Sequence, residues 1–128
     1  MFRKFVYIVQ RNLNLKRSFD TDKDIEKEEL ESYIKQGATI IDVRSPQEYK
    51  EGHINGAISI PDYQIKKEIE KQIPNKEELI VLYCTTGHRS QRAQQILEDL
   101  GYVNVYNVYE GIIIWYKIFY HLTYLLLL

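Results

Sequence analysis

Apolar and polar positions follow two rhythms along this chain. Short apolar runs stand at residues 38–43 ("ATIIDV"), 57–60 ("AISI"), 78–83 ("ELIVLY") and 103–108 ("VNVYNV"). Each is short and bounded by turn-forming or charged residues, which predicts buried strands. Between them, apolar residues recur every three or four positions. "DIEKEELESYIKQG" (24–37) predicts a helix with an acidic start, Leu30, Tyr33 and Ile34 facing inward, and Gly37 as its stop. "SPQEYKEG" (45–52) predicts a short helix opened by Ser45 and Pro46 and closed by Gly52. "DYQIKKEIEKQI" (62–73) sets Ile65, Ile69 and Ile73 in register, and "SQRAQQILEDLG" (90–101) puts Ala93, Ile96, Leu97 and Leu100 on one face. Strands that alternate with helices imply an α/β layer fold with a mainly parallel sheet.

The two ends follow neither rhythm. Residues 1–15 align Phe2, Phe5, Val6, Val9 and Leu13 on one stripe, a basic amphipathic helix, and "SFDTDKD" (18–24) then reads as a linker. The organisation expected is therefore a basic extension at 1–19, one domain at 20–116 and an apolar tail at 117–128. Residues 112–128 number 17 and include Lys117 and His121, short of the roughly 20 apolar residues a membrane span needs. Two readings of the ends stand: a tail helix packed on the body, or a peripheral membrane contact made by both termini.

Composition adds limits. The 128 residues are 45% hydrophobic and 27% charged, enough for one real core. The net charge is −1, yet residues 1–19 carry five basic residues and no acid, so the body is acidic and does not suit nucleic acid as a partner. One cysteine excludes an internal disulfide and a cysteine-rich zinc site. A free thiol and the lack of a secretory signal pattern point to the cytoplasm, or to association with a membrane on its cytoplasmic face.

That cysteine is the candidate chemistry. In "LYCTTGHRSQRA" (82–93), Cys84 follows the most apolar strand and precedes a loop and a helix start near Ser90. Ligands of open parallel sheets bind at such strand ends. A helix N-terminus offers unpaired N–H groups and partial positive charge. Gly87 lets the loop turn its amides inward, and His88 and Arg89 add positive charge at the rim. These are the requirements of a nucleophilic sulfur that carries an anionic adduct. An inert buried cysteine is the bland alternative.

The chain resembles a single-domain rhodanese, a sulfurtransferase. The matching pieces are "IIDVRSPQEYKEGHINGAISIP" (40–61), "LYCTTGHRSQRA" and "LGYVNVYNVYEG" (100–111), with Trp115 beyond, in the family's order and spacing. The resemblance implies a three-layer α/β fold, with a central parallel five-stranded sheet flanked by helices, and a persulfide carried on Cys84. Backbone N–H groups of Thr85, Thr86, Gly87, His88, Arg89 and Ser90 would hold it. Asp42 and Arg44 would tie neighbouring loops together, with Glu48 as the partner of Arg44. His53 would bond backbone and fix a turn, and Asp62 and Tyr63 would line the pocket mouth. Four residues separate Cys84 from Arg89. Related phosphatases of this fold use one more, a wider cradle for phosphate or arsenate. Two departures stand out: Ile112 replaces the family's second glycine, and the chain continues well past Trp115.

The activity expected is transfer of sulfane sulfur from thiosulfate or a persulfide to a thiol, cyanide or protein acceptor, with no metal and no cofactor. The alternatives are a phosphatase or arsenate reductase of the same fold, and a non-catalytic rhodanese-like binding module.

Overall fold

A computed structural model describes residues 22–112. The expected N-terminal helix and the apolar tail lie outside them. Five parallel strands form one sheet: β1 (Asp24–Ile25), β2 (Thr39–Asp42), β3 (Ile58–Ser59), β4 (Ile80–Tyr83) and β5 (Val105–Val108), in the spatial order β1-β5-β4-β2-β3. Four helices connect them: α1 (Leu30–Lys35), α2 (Pro46–Glu51), α3 (Ile65–Gln72) and α4 (His88–Asp99). This is the α/β sheet with flanking helices that the alternating pattern predicts.

The central strand shows why its sequence is apolar throughout. Successive side chains of a strand point to opposite faces. Ile80, Leu82 and Cys84 pack with Ile65 and Ile69 of α3 and Ala93 and Leu97 of α4. Val81 and Tyr83 pack on the other face with Leu30 of α1, Ile25 and Val108. All five residues from Ile80 through Cys84 are buried, each at most 1% accessible. Because both faces are covered, no position on this strand tolerates a polar side chain without a partner.

The structure corrects the first element. Asp24 and Ile25 form not a helix start but a short edge strand, paired with Asn107 and Val108 of β5. A 3₁₀ turn at Lys27–Glu29 follows, and α1 begins only at Leu30. In α1, Leu30 is buried and Tyr33 half-buried, while Ile34 is 43% exposed and does not face inward.

Every strand runs the same way, so β2, β3, β4 and β5 all deliver their carboxyl ends to one edge of the sheet. Cys84 emerges there, one residue past the end of β4.

Candidate active site

The sulfur of Cys84 sits at the bottom of its loop, with the residue 1% accessible. Helix α4 begins at His88, two residues earlier than the pattern suggests. Its cap is Gly87, at φ 89°, a left-handed conformation that glycine adopts without steric cost. The turn aims two amides at the sulfur: Gly87 N–H donates to Sγ at 3.0 Å and Ser90 N–H at 3.4 Å. The hydroxyl of Ser90 lies 3.3 Å from Sγ. The positive end of a 12-residue helix therefore faces a buried sulfur. Thr86 and His88 stand exposed at the rim, and Thr85 is half-buried.

A carboxylate from another element holds the loop. Ser45 caps α2, and its hydroxyl accepts from Glu48 N–H at 3.2 Å, while Ser45 N–H and Oγ donate to Glu48 Oε1. This capping box fixes the Glu48 side chain. Arg89 then meets it with two prongs, Nη1 to Oε1 at 2.7 Å and Nη2 to Oε2 at 3.1 Å. Thr85 Oγ1 donates to Oε2 at 3.2 Å and accepts from Arg89 Nη2 at 3.2 Å. One carboxylate thus grips residues near both ends of the cysteine loop. Hydrogen bonding from Arg89, with Ser45 assisting, outweighs partial burial and holds the Glu48 carboxyl down to about 2. The same bond raises the guanidinium of Arg89.

Two expectations change here. The partner of Glu48 is Arg89, not Arg44, so the Arg89 charge is met by a carboxylate instead of standing unopposed at the rim. Arg44 turns to Asp42: its Nε lies 3.1 Å from Oδ1, and its Nη2 lies 2.7 Å from Oδ2. The reason is strand geometry, since residues two apart on an extended chain share a side. Arg44 Nη2 also donates to the carbonyl of Gly52, which ties the start of α2's loop to its end.

Asp42 is also reached from β4. Tyr83, the residue before the cysteine, donates its hydroxyl to Asp42 Oδ2 at 2.7 Å and accepts from Ile54 N–H at 3.1 Å. Burial, with Asp42 alongside, pushes the Tyr83 hydroxyl well above the ordinary tyrosine range, so it remains a donor. This network lies on the sheet face opposite the sulfur and acts as a brace. His53 stacks on the Tyr49 ring at 3.7 Å, and its Nδ1 bonds the Tyr49 carbonyl at 2.8 Å. Asp62 pairs with Arg92 at 3.2 Å, which links the end of β3 to α4, and Tyr63 is 69% exposed.

The segment after β5 supports the loop from below, a role the pattern did not show. Gly111, at φ 68°, packs so closely that a Cβ there would fall 2.0 Å from the Thr85 carbonyl oxygen. Ile112 is buried and its N–H donates to the Cys84 carbonyl at 3.0 Å. The residue in place of the family's second glycine is thus part of the cysteine's own scaffold.

A parallel α/β sheet with a cysteine loop opening onto a helix N-terminus defines a class of α/β domains with a thiol at a strand end. Within that class the chain belongs to the rhodanese-like domain family, whose model matches residues 26–117. It is 40% identical over 67 residues to the thiosulfate sulfurtransferase PspE of Escherichia coli, covering 52% of this chain and 64% of PspE. It is 34% identical over 98 residues to a tRNA uridine(34) hydroxylase of Hamiltonella defensa, covering 73% of this chain but 28% of that protein. The chain thus spans less than two thirds of either relative. Among solved structures, the human single-domain sulfurtransferase TSTD1 superposes with a TM-score of 0.67 at 27% identity, covering 74% of this chain and 96% of TSTD1.

Proposed function

We propose that the chain is a rhodanese-type sulfurtransferase that carries sulfur as a persulfide on Cys84. The observation that carries this reading is the sulfur itself: buried, at a strand end, under the Gly87 and Ser90 amides and the start of α4. In the first half-reaction the Cys84 thiolate attacks the sulfane sulfur of thiosulfate or a persulfide. The donor's sulfur–sulfur bond breaks, and sulfite or a thiolate leaves with the electron pair. In the second, an acceptor thiolate or cyanide attacks the outer sulfur and returns the Cys84 thiolate. With no second cysteine in the sequence, discharge needs an external acceptor.

The similarity to PspE and TSTD1 supports sulfur transfer over the other chemistries of this fold. The lone cysteine must stay free of disulfides to turn over, which fits a reducing compartment, and we propose the cytoplasm on that ground. The test is turnover of thiosulfate with cyanide, run beside an aryl phosphate and arsenate. Thiosulfate turnover that disappears in Cys84→Ala supports the reading. Phosphate or arsenate turnover without sulfur transfer replaces it with the phosphatase or arsenate reductase alternative.

A further inference from the structure

We propose that the hydroxyl of Ser90 is a catalytic group of the discharge half-reaction, stabilising the Cys84 sulfur as it becomes the leaving group. This rests on the sulfurtransferase reading above and goes beyond the backbone contact that reading uses.

Ser90 is fully buried on the first turn of α4. A buried hydroxyl needs a hydrogen-bond partner. Among the described residues, the partner Ser90 Oγ meets is Cys84 Sγ, at 3.3 Å. The direction of that bond depends on the state of the sulfur. A thiol can donate its proton to Oγ. A thiolate, or the inner sulfur of a persulfide, carries no proton there, so the hydroxyl must donate.

The two half-reactions move charge on Sγ in opposite senses. During uptake the Cys84 thiolate forms a bond to the donor's sulfane sulfur, and negative charge leaves Sγ. During discharge the acceptor thiolate bonds to the outer sulfur. The bond between Sγ and the outer sulfur breaks, and its electron pair stays on Sγ. A hydrogen bond into Sγ grows stronger as that charge builds, so it lowers the barrier of discharge. In uptake the same bond weakens on the way to the transition state and gives no such help. Gly87 and Ser90 also supply amides, but these belong to the backbone and act in every state. The hydroxyl is the part a side-chain change removes cleanly.

The experiment separates the half-reactions in single turnovers. The chain is charged with thiosulfate, freed of donor and mixed with a small thiol, and the Cys84 persulfide is followed by intact mass at each stage. Ser90→Ala suits a helix and leaves no orphaned polar atom. Its discharge rate should fall on the order of tenfold or more, the effect of losing a hydrogen bond to a charged group, while uptake falls by a clearly smaller factor. Ser90→Gly removes the same hydroxyl and should show the same imbalance. Equal slowing of both steps, or unchanged discharge in folded variants, overturns the proposal while leaving sulfur transfer intact. A wild-type chain that takes up no sulfur removes both.

Discussion

Gly111 lies directly beneath the peptide between Thr85 and Thr86: a Cβ at this position would meet the Thr85 carbonyl oxygen at 2.0 Å and the Thr86 nitrogen at 2.6 Å. The segment that follows the last strand is therefore the floor of the cysteine loop. Backbone, not a pliable side chain, occupies the space, so the collision cannot be relieved by a rotamer change.

Gly111→Ala should for this reason be damaging twice over. The positive φ strains any residue with a Cβ, and the new atom must push the loop away from the Gly87 and Ser90 amides. A stability loss of roughly 2 kcal/mol or more is expected, with sulfur uptake reduced further than stability explains. Thermal melting and thiosulfate turnover of the same sample measure the two. A variant with wild-type melting and turnover would show that the floor is not close-packed.

The Glu48 clamp yields a second expectation. The pair is partly exposed, with side-chain accessibilities of 31% for Arg89 and 34% for Glu48, so its worth to global stability is about 1 kcal/mol or less. Its worth to the site is larger, since it fixes both Thr85 and Arg89. Glu48→Gln should lower turnover by roughly ten- to a hundredfold through misplacement of the loop. Arg89→Lys should follow the same course, because one ammonium cannot replace a two-pronged contact. Equal losses in turnover and in stability would reduce the clamp to an ordinary surface pair.

The clamp also sets an acid limit. The folded carboxyl of Glu48 titrates at about 2, below an unfolded value of about 4.3. Its folded pKa is depressed, so its contribution is present above the unfolded value and is lost as pH falls through the folded one. Wild type should be more stable than Glu48→Gln near neutrality. The difference should shrink between about pH 4.3 and 2 and vanish below that. Paired acid-unfolding curves measure it, and a difference that stayed constant across this range would rule the ion pair out as its source.

Much of this site can be read from the sequence because the signals are local. The run through β4 is apolar at every position since both its faces are covered, and the isoleucine spacing of α3 follows from one buried face. Gly87, too, announces a left-handed turn before a helix. What stays hidden depends on distant partners. Asp24 and Ile25 sit among strong helix formers, and they become a strand through the open edge of β5, more than eighty residues away. Arg44 and Glu48 stand close in the chain and are expected to pair, but Arg44 precedes the helix, so it bonds Asp42 and leaves Glu48 to Arg89. Nothing near Gly111 in the chain reveals that the cysteine loop rests on it.

Intact mass reads directly whether Cys84 takes up sulfur and gives it back. The full chain is incubated with thiosulfate, freed of donor, weighed, then treated with a reductant and weighed again. The expected result is a gain of one sulfur atom, reversed by the reductant and absent in a folded Cys84→Ala variant. An unchanged mass with a chemically accessible thiol, or an equal gain in Cys84→Ala, would contradict it.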